Sequence, residues 1–184
     1  MRLLFVLFLI VSATYGAALS FEAEELQFTL QPGYWEVDGL FYFANYAETT
    51  FSGPIFFPVP VDSLSLAPEL LALEITEDSD AKCRLLSQSR AGFSFNLEIP
   101  ELHFCTLHLV YRQELKGDSA TYIITSARAW GQPFEYASYD LRVDPALQIT
   151  ELPFPLQEYN DNCYHWEILD FTPDTEFRVR FAPR

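Results

Sequence analysis

Apolar and polar residues alternate with a period of two along much of this chain, and the 3.6-residue period of an amphipathic helix is scarce. The clearest case is Phe93-Ser94-Phe95-Asn96-Leu97-Glu98-Ile99, which puts Phe93, Phe95, Leu97 and Ile99 on one face before Pro100 ends the run. Residues 105–115 read as the returning strand, with Glu101-Leu102-His103 at the connection. Residues 120–126 are β-branched and aromatic and follow the turn Lys116-Gly117-Asp118. Residues 136–143 form another strand, stopped by Asp144-Pro145, and Phe177-Arg178-Val179-Arg180-Phe181 is apolar on one side and cationic on the other. Earlier in the chain, residues 34–45 carry apolar groups on both faces after Gly39, as a central strand would. Pro54, Pro58 and Pro60 make 53–61 an edge strand or extended loop. Leu71-Ala72-Leu73-Glu74-Ile75 alternates again. The one predicted helix is a short turn around Ala67-Pro68-Glu69-Leu70, with proline at an allowed first-turn position. The pattern predicts an all-β fold, an antiparallel β-sandwich of roughly eight or nine strands with little helix.

One stretch breaks this rhythm. Arg2 precedes a continuous apolar run at 3–11, followed by the mostly small residues of Ser12-Ala13-Thr14-Tyr15-Gly16-Ala17-Ala18. Those are the three regions of a secretory signal peptide, and the run is about half the ~20 residues needed to span a bilayer. The expected organisation is a signal peptide at 1–18, cleaved near Ala18, and a single domain at 19–184 in a secreted or periplasmic protein. Roughly 165 residues suffice for one core that buries close to 70% of the unfolded surface. No second membrane segment, C-terminal anchor or sorting tail is read from the remainder, and no N-x-[ST] sequon occurs.

Charge narrows the partners. With Lys+Arg 11 against Asp+Glu 26, the formal net charge is −15. Such a field repels phosphate backbones and anionic membrane surfaces, so nucleic acid is excluded as a partner and charge-driven membrane binding is disfavoured. Three cysteines is an odd number for an oxidising compartment. Cys105 shares a strand face with Leu107 and Leu109, and Cys83 shares one with Leu85, so a Cys83–Cys105 disulfide is the expected pairing.

Candidate chemistry is sparse. His103 and Cys105, with His108 on the opposite face and His165 beside Cys163, could contribute to a zinc site only if three or four of them converged. Glu77-Asp78-Ser79-Asp80 and Asn160-Asp161-Asn162 offer oxygen ligands for calcium without matching an EF-hand. There is no G-x-S-x-G, no phosphate-binding glycine loop and no recognisable cysteine–histidine arrangement, so no catalytic, metal or cofactor residue is assigned. Aromatic pairs, Tyr34-Trp35, Trp130 with Phe134, and Tyr164 with Trp166, could form a stacking platform for sugars, although large aromatics more often fill a core.

Three stretches together resemble secreted bacterial proteins of a domain-of-unknown-function family. They are Phe41-Tyr42-Phe43-Ala44-Asn45 leading to Phe56-Phe57-Pro58-Val59-Pro60, Thr125-Ser126 ahead of Trp130 and Pro133, and Asp170-Phe171-Thr172-Pro173-Asp174 before the last strand. The resemblance implies an extracytoplasmic β-sandwich and transfers no catalytic residue. The expected function is binding or structural association with an envelope component, either another envelope protein or a surface glycan, and not catalysis. The alternatives are a carbohydrate-binding module and a metal- or thiol-dependent enzyme.

Overall fold

A computed structural model of the chain describes residues 19–61, 66–77, 80–155, 158–160 and 162–184. The expected signal peptide and its cleavage site lie outside the described residues, as do Asp78, Ser79 and Asp161 of the two calcium candidates.

The fold is all-β. Within the described residues the strands are β1 (Leu19–Gln31), β2 (Tyr34–Asn45), β3 (Phe51–Pro58), β4 (Glu69–Glu77), β5 (Lys82–Ser89), β6 (Gly92–Ile99) and β7 (Phe104–Glu114). They continue with β8 (Ser119–Tyr122), β9 (Phe134–Val143), β10 (Leu147–Glu151), β11 (Glu158–Asn160), β12 (Cys163–Phe171) and β13 (Phe177–Pro183). One layer is a seven-stranded sheet in the order β11-β12-β9-β1-β2-β7-β4, and two three-stranded sheets, β3-β6-β5 and β10-β13-β8, form the other. Pairing is antiparallel except between β1 and β9, which run parallel in register from Ala23↔Tyr136 to Leu30↔Val143.

Each small sheet covers part of the large one through aromatic contacts. Phe57 of β3 meets Phe41 of β2 edge-on, and Phe93 of β6 lies against Tyr111 of β7. On the other side, Phe177 of β13 stacks on Phe28 of β1 and is met edge-on by Trp166 of β12. One hydrophobic cluster therefore runs through all three sheets. Alternation along β2 puts Trp35, Val37, Phe41 and Phe43 in this core and leaves Glu36, Asp38, Leu40 and Tyr42 on the face away from it.

The thirteen described strands exceed the eight or nine expected, because short strands such as β10 and β11 carry too few residues to show a period. The predicted helical turn at 67–70 does not form. Ala67 precedes a proline and is pushed out of the helical region, and Glu69 already opens β4. The strand expected at 120–126 stops at Tyr122 and gives way to a 3-10 helix, Thr125–Trp130. Glu176, just before β13, holds that helix start: its carboxylate accepts the Ile124 amide at 2.9 Å, the Thr125 amide at 3.2 Å and the Thr125 hydroxyl at 2.5 Å.

Candidate binding face

The solvent face of the seven-stranded sheet carries acidic side chains, among them Glu25, Glu36, Asp38, Glu74 and Asp140, and two β-bulges add more at one end. In β1 the pairing runs Phe21↔Phe43 and then Ala23↔Tyr42, so Glu22 is an extra residue opposite Tyr42. In β4 it runs Ile75↔Leu107 and then Glu77↔Thr106, so Thr76 is extra and Glu77 is brought onto the outer face with Thr106. Without that second bulge, Glu77 would sit opposite Cys105, whose side chain is in the core. Bulges re-aim side chains in this way at sheet ends and beside sites.

The result is a cleft of about 250 Å³. Its walls include the carboxylates of Glu22, Glu77 and Glu135 and the rings of Tyr42, Tyr46 and Phe104, with no Lys, Arg or His among the described lining residues. Thr106 Oγ1 donates to Glu77 at 3.1 Å, Tyr42 donates to Glu25 at 3.0 Å, and the Tyr46 hydroxyl donates to Glu22. Tyr46 and Phe104 meet edge to face at 5.8 Å and are 53% and 63% exposed, so this aromatic corner stands in solvent. Burial, followed by the hydrogen bond and charge of Glu25, pushes the Tyr42 phenol up to about 12. The Tyr46 phenol is also raised, by partial burial and then by Glu22 and Glu135. In both phenols burial leads the shift and the neighbouring carboxylates add to it.

A second cleft of about 200 Å³ adjoins it on the same face, with Glu25, Asp38, Asp140, Gln27 and His108 in its walls. His108 bridges Asp38 at 2.8 Å and Glu74 at 3.3 Å. Partial burial pulls its imidazolium down, but the two carboxylates outweigh this and leave its affinity for a proton raised. On β12, four strands from the β7 of His108, His165 contacts Asp140 of β9 at 2.8 Å.

Of the residues singled out from the sequence, Glu77 and Cys105 line the larger cleft and His108 the second, and the others fall elsewhere. All three cysteines carry thiols, and the expected Cys83–Cys105 disulfide is not formed. Cys83 lies on β5 of a small sheet and Cys105 on β7 of the large one, so a shared core does not place them in bonding range. Burial pushes the Cys83 thiol up to about 11. The zinc candidates do not converge. His103 Nδ1 is taken up by the Glu101 carbonyl at 2.7 Å, Cys105 faces the core, and His165 stands on the outer face of β12. From β7 to β12 is four strand spacings, roughly 19 Å. No group of three or more metal-capable side chains occurs among the described residues. The sugar platform is not present either: Trp35 and Trp166 are 0% exposed, Phe134 is buried, and Trp130 packs half-buried on Phe21 and Phe43. Sequence reasoning named Glu77 and His108 only as metal candidates and missed their grouping with Glu22, Tyr46, Phe104 and Glu135, because these residues come from separated parts of the chain. The available clue was the lost alternation at Glu22-Ala23, which marks a bulge.

No family model matches this chain, and no curated protein matches it. Solved structures do share its fold. A candidate nutrient-binding protein of Legionella pneumophila superposes with a TM-score of 0.67 at 11% identity, over 89% of this chain and 67% of that one. The leukotriene A4 hydrolase of Saccharomyces cerevisiae gives a TM-score of 0.50 at 9% identity over 82% of this chain. This chain spans about a quarter (26%) of that hydrolase. No helix among the described residues is long and apolar enough to cross a membrane.

Proposed function

We propose that this chain is an extracytoplasmic binding protein whose ligand sits on the solvent face of the seven-stranded sheet. The carrying observation is the pair of adjoining clefts on that face, the larger one shaped by two bulges that bring Glu22 and Glu77 into its wall. Two further features support the reading. The N-terminal stretch has the regions of an export signal. The fold is also shared with a protein described as a candidate for nutrient binding, across most of this chain.

Two measurements test it. Expression of the full chain in a Gram-negative host should yield mature protein in the periplasmic fraction, with an N-terminus near Leu19. Uncleaved protein in the cytoplasm would remove the extracytoplasmic half of the proposal. A thermal-shift screen of charged and neutral metabolites should find compounds that raise the melting temperature saturably, since a ligand bound only by the native state stabilises it. Glu25→Gln and Asp38→Asn, at the second cleft, should shrink that ligand-induced rise, and because both side chains are largely exposed they should cost no more than about 1 kcal/mol without ligand. A screen with no stabilising compound of any charge would overturn the binding reading.

A further inference from the structure

We propose that the larger cleft is a receptor site for an alkylammonium group, carried by a small free amine or by a lysine side chain. This rests on the binding reading above and names the ligand chemistry for one of the two clefts. Four observations carry it.

The cleft is acidic without being a metal site. Glu22, Glu77 and Glu135 stand around aromatic rings instead of converging on a point, and no three metal-capable groups come together among the described residues. A small divalent cation demands several oxygens at about 2.0–2.6 Å. A larger, diffuse cation is satisfied by carboxylates at the rim and ring faces between them.

The rings are arranged for such a guest. Tyr46 and Phe104 form an edge-to-face corner at 5.8 Å, exposed well beyond what packing requires, and Tyr42 lies on the same outer face. Together with the carboxylates they provide aromatic and anionic walls in a volume of about 250 Å³, enough for an alkylammonium head and a few methylenes.

Among the described residues, none of the protein's own cations lines the site. The described lining includes no basic side chain, and the guanidinium of Arg112 is held elsewhere, by Glu36 at 2.7 Å and over the Tyr34 ring. Finally, the arrangement is built into the backbone. The bulge at Glu22 and the bulge at Thr76 lie in separate strands, and each brings a glutamate to the same cleft.

Isothermal titration of the mature protein at low salt tests the site with choline, cadaverine and Nα-acetyl-lysine amide, and with 3,3-dimethylbutan-1-ol as the uncharged counterpart of choline. Saturable binding of at least one ammonium compound, weakened by added salt, is expected, with no saturation by the alcohol. Preference for acetyl-lysine amide over cadaverine and choline identifies a lysine side chain as the source, and the reverse identifies a free amine. The paired variant Glu22→Gln with Glu135→Gln should weaken binding about tenfold or more, and Phe104→Ala about fivefold. Phe104 and Glu135 are exposed and Glu22 is half-buried, so these variants should melt close to the parent protein, and circular dichroism checks that. Equal binding of alcohol and choline, unchanged affinity in folded Glu22→Gln/Glu135→Gln, or saturation by calcium chloride alone would each overturn the ammonium site. A neutral compound that stabilises the protein while every amine fails would overturn this proposal and leave the binding reading standing.

Discussion

Glu24 shows how one residue can set the pH response of this fold. Its side chain lies in the core, where Tyr139 donates to it at 2.6 Å and Tyr122 at 3.2 Å. Burial pushes the carboxyl up to about 7, and the two phenol hydrogen bonds pull against that shift without cancelling it. The native state therefore holds this proton more tightly than the unfolded chain, whose glutamates titrate near 4.5. The native proton stabilises the fold fully below that value. As pH rises, the unfolded chain loses its proton first, so stability declines and levels off once the native carboxyl has also ionised, past about pH 7. A difference of about two and a half units corresponds to about 3 kcal/mol. Urea unfolding at pH 5, 6, 7 and 8 should show that decline, and Glu24→Gln, which has no proton to lose, should flatten it. An unchanged slope in Glu24→Gln would place the pH response in other groups.

At the scale of elements, strand ends do much of the positioning. Asn45 closes β2 with its side chain buried: Nδ2 lies 2.9 Å from the Thr49 carbonyl, 3.1 Å from Ile99 and 2.8 Å from Pro100, while Oδ1 accepts the Ala47 amide at 3.1 Å. It thereby ties the large sheet to the end of β6. Asn45→Ala would take the partner from these carbonyls and that amide in a site that is buried at Ile99 and partly buried at the rest, and should cost about 2–3 kcal/mol in chemical denaturation. Asn45→Asp keeps the acceptor for Ala47 but sets a carboxylate oxygen against three carbonyl oxygens, and should cost at least as much as Asn45→Ala. This strand end was visible in the sequence as an aromatic run stopping at asparagine, and β6, β7, β9 and β13 were equally visible from their alternation. β1 was not. Phe21 faces the core, the bulge at Glu22 then shifts the phase, and the buried Glu24 stands where an apolar residue would be expected. A period-two template fails at both places. The candidate site was hidden for a related reason. Its glutamates and rings come from β1, β2, β4, β7 and β9 and meet through register, which short-range spacing does not encode.

For the whole molecule, the question is whether a layer split into two small sheets behaves as one structure or two. Several contacts bind the halves. Tyr122 of β8 lies 6.1 Å from Phe57 of β3, across the divide between the small sheets. Beneath them, Phe28 stacks on Phe177 at 4.3 Å and on Trp35 at 4.9 Å, and Trp35 belongs to β2, the strand that also carries Phe41 against Phe57. Neither small sheet has a core of its own, because a three-stranded sheet buries one face only by packing on a neighbour. Unfolding should therefore be a single transition, with tryptophan fluorescence and far-ultraviolet circular dichroism coinciding. Phe177→Ala, which removes the ring packed among Phe28, Tyr139 and Trp166, should lower stability by about 3–5 kcal/mol. That loss should move both signals together, including the part of the far-ultraviolet signal that comes from β3, β5 and β6, which form the other small sheet. If the halves were independent, Phe177→Ala would split the transition, and the fluorescence of Trp166 would change before most strand signal was lost. Coinciding curves in the parent and in Phe177→Ala would mean that the large sheet transmits the loss at one end to strands packed on the other.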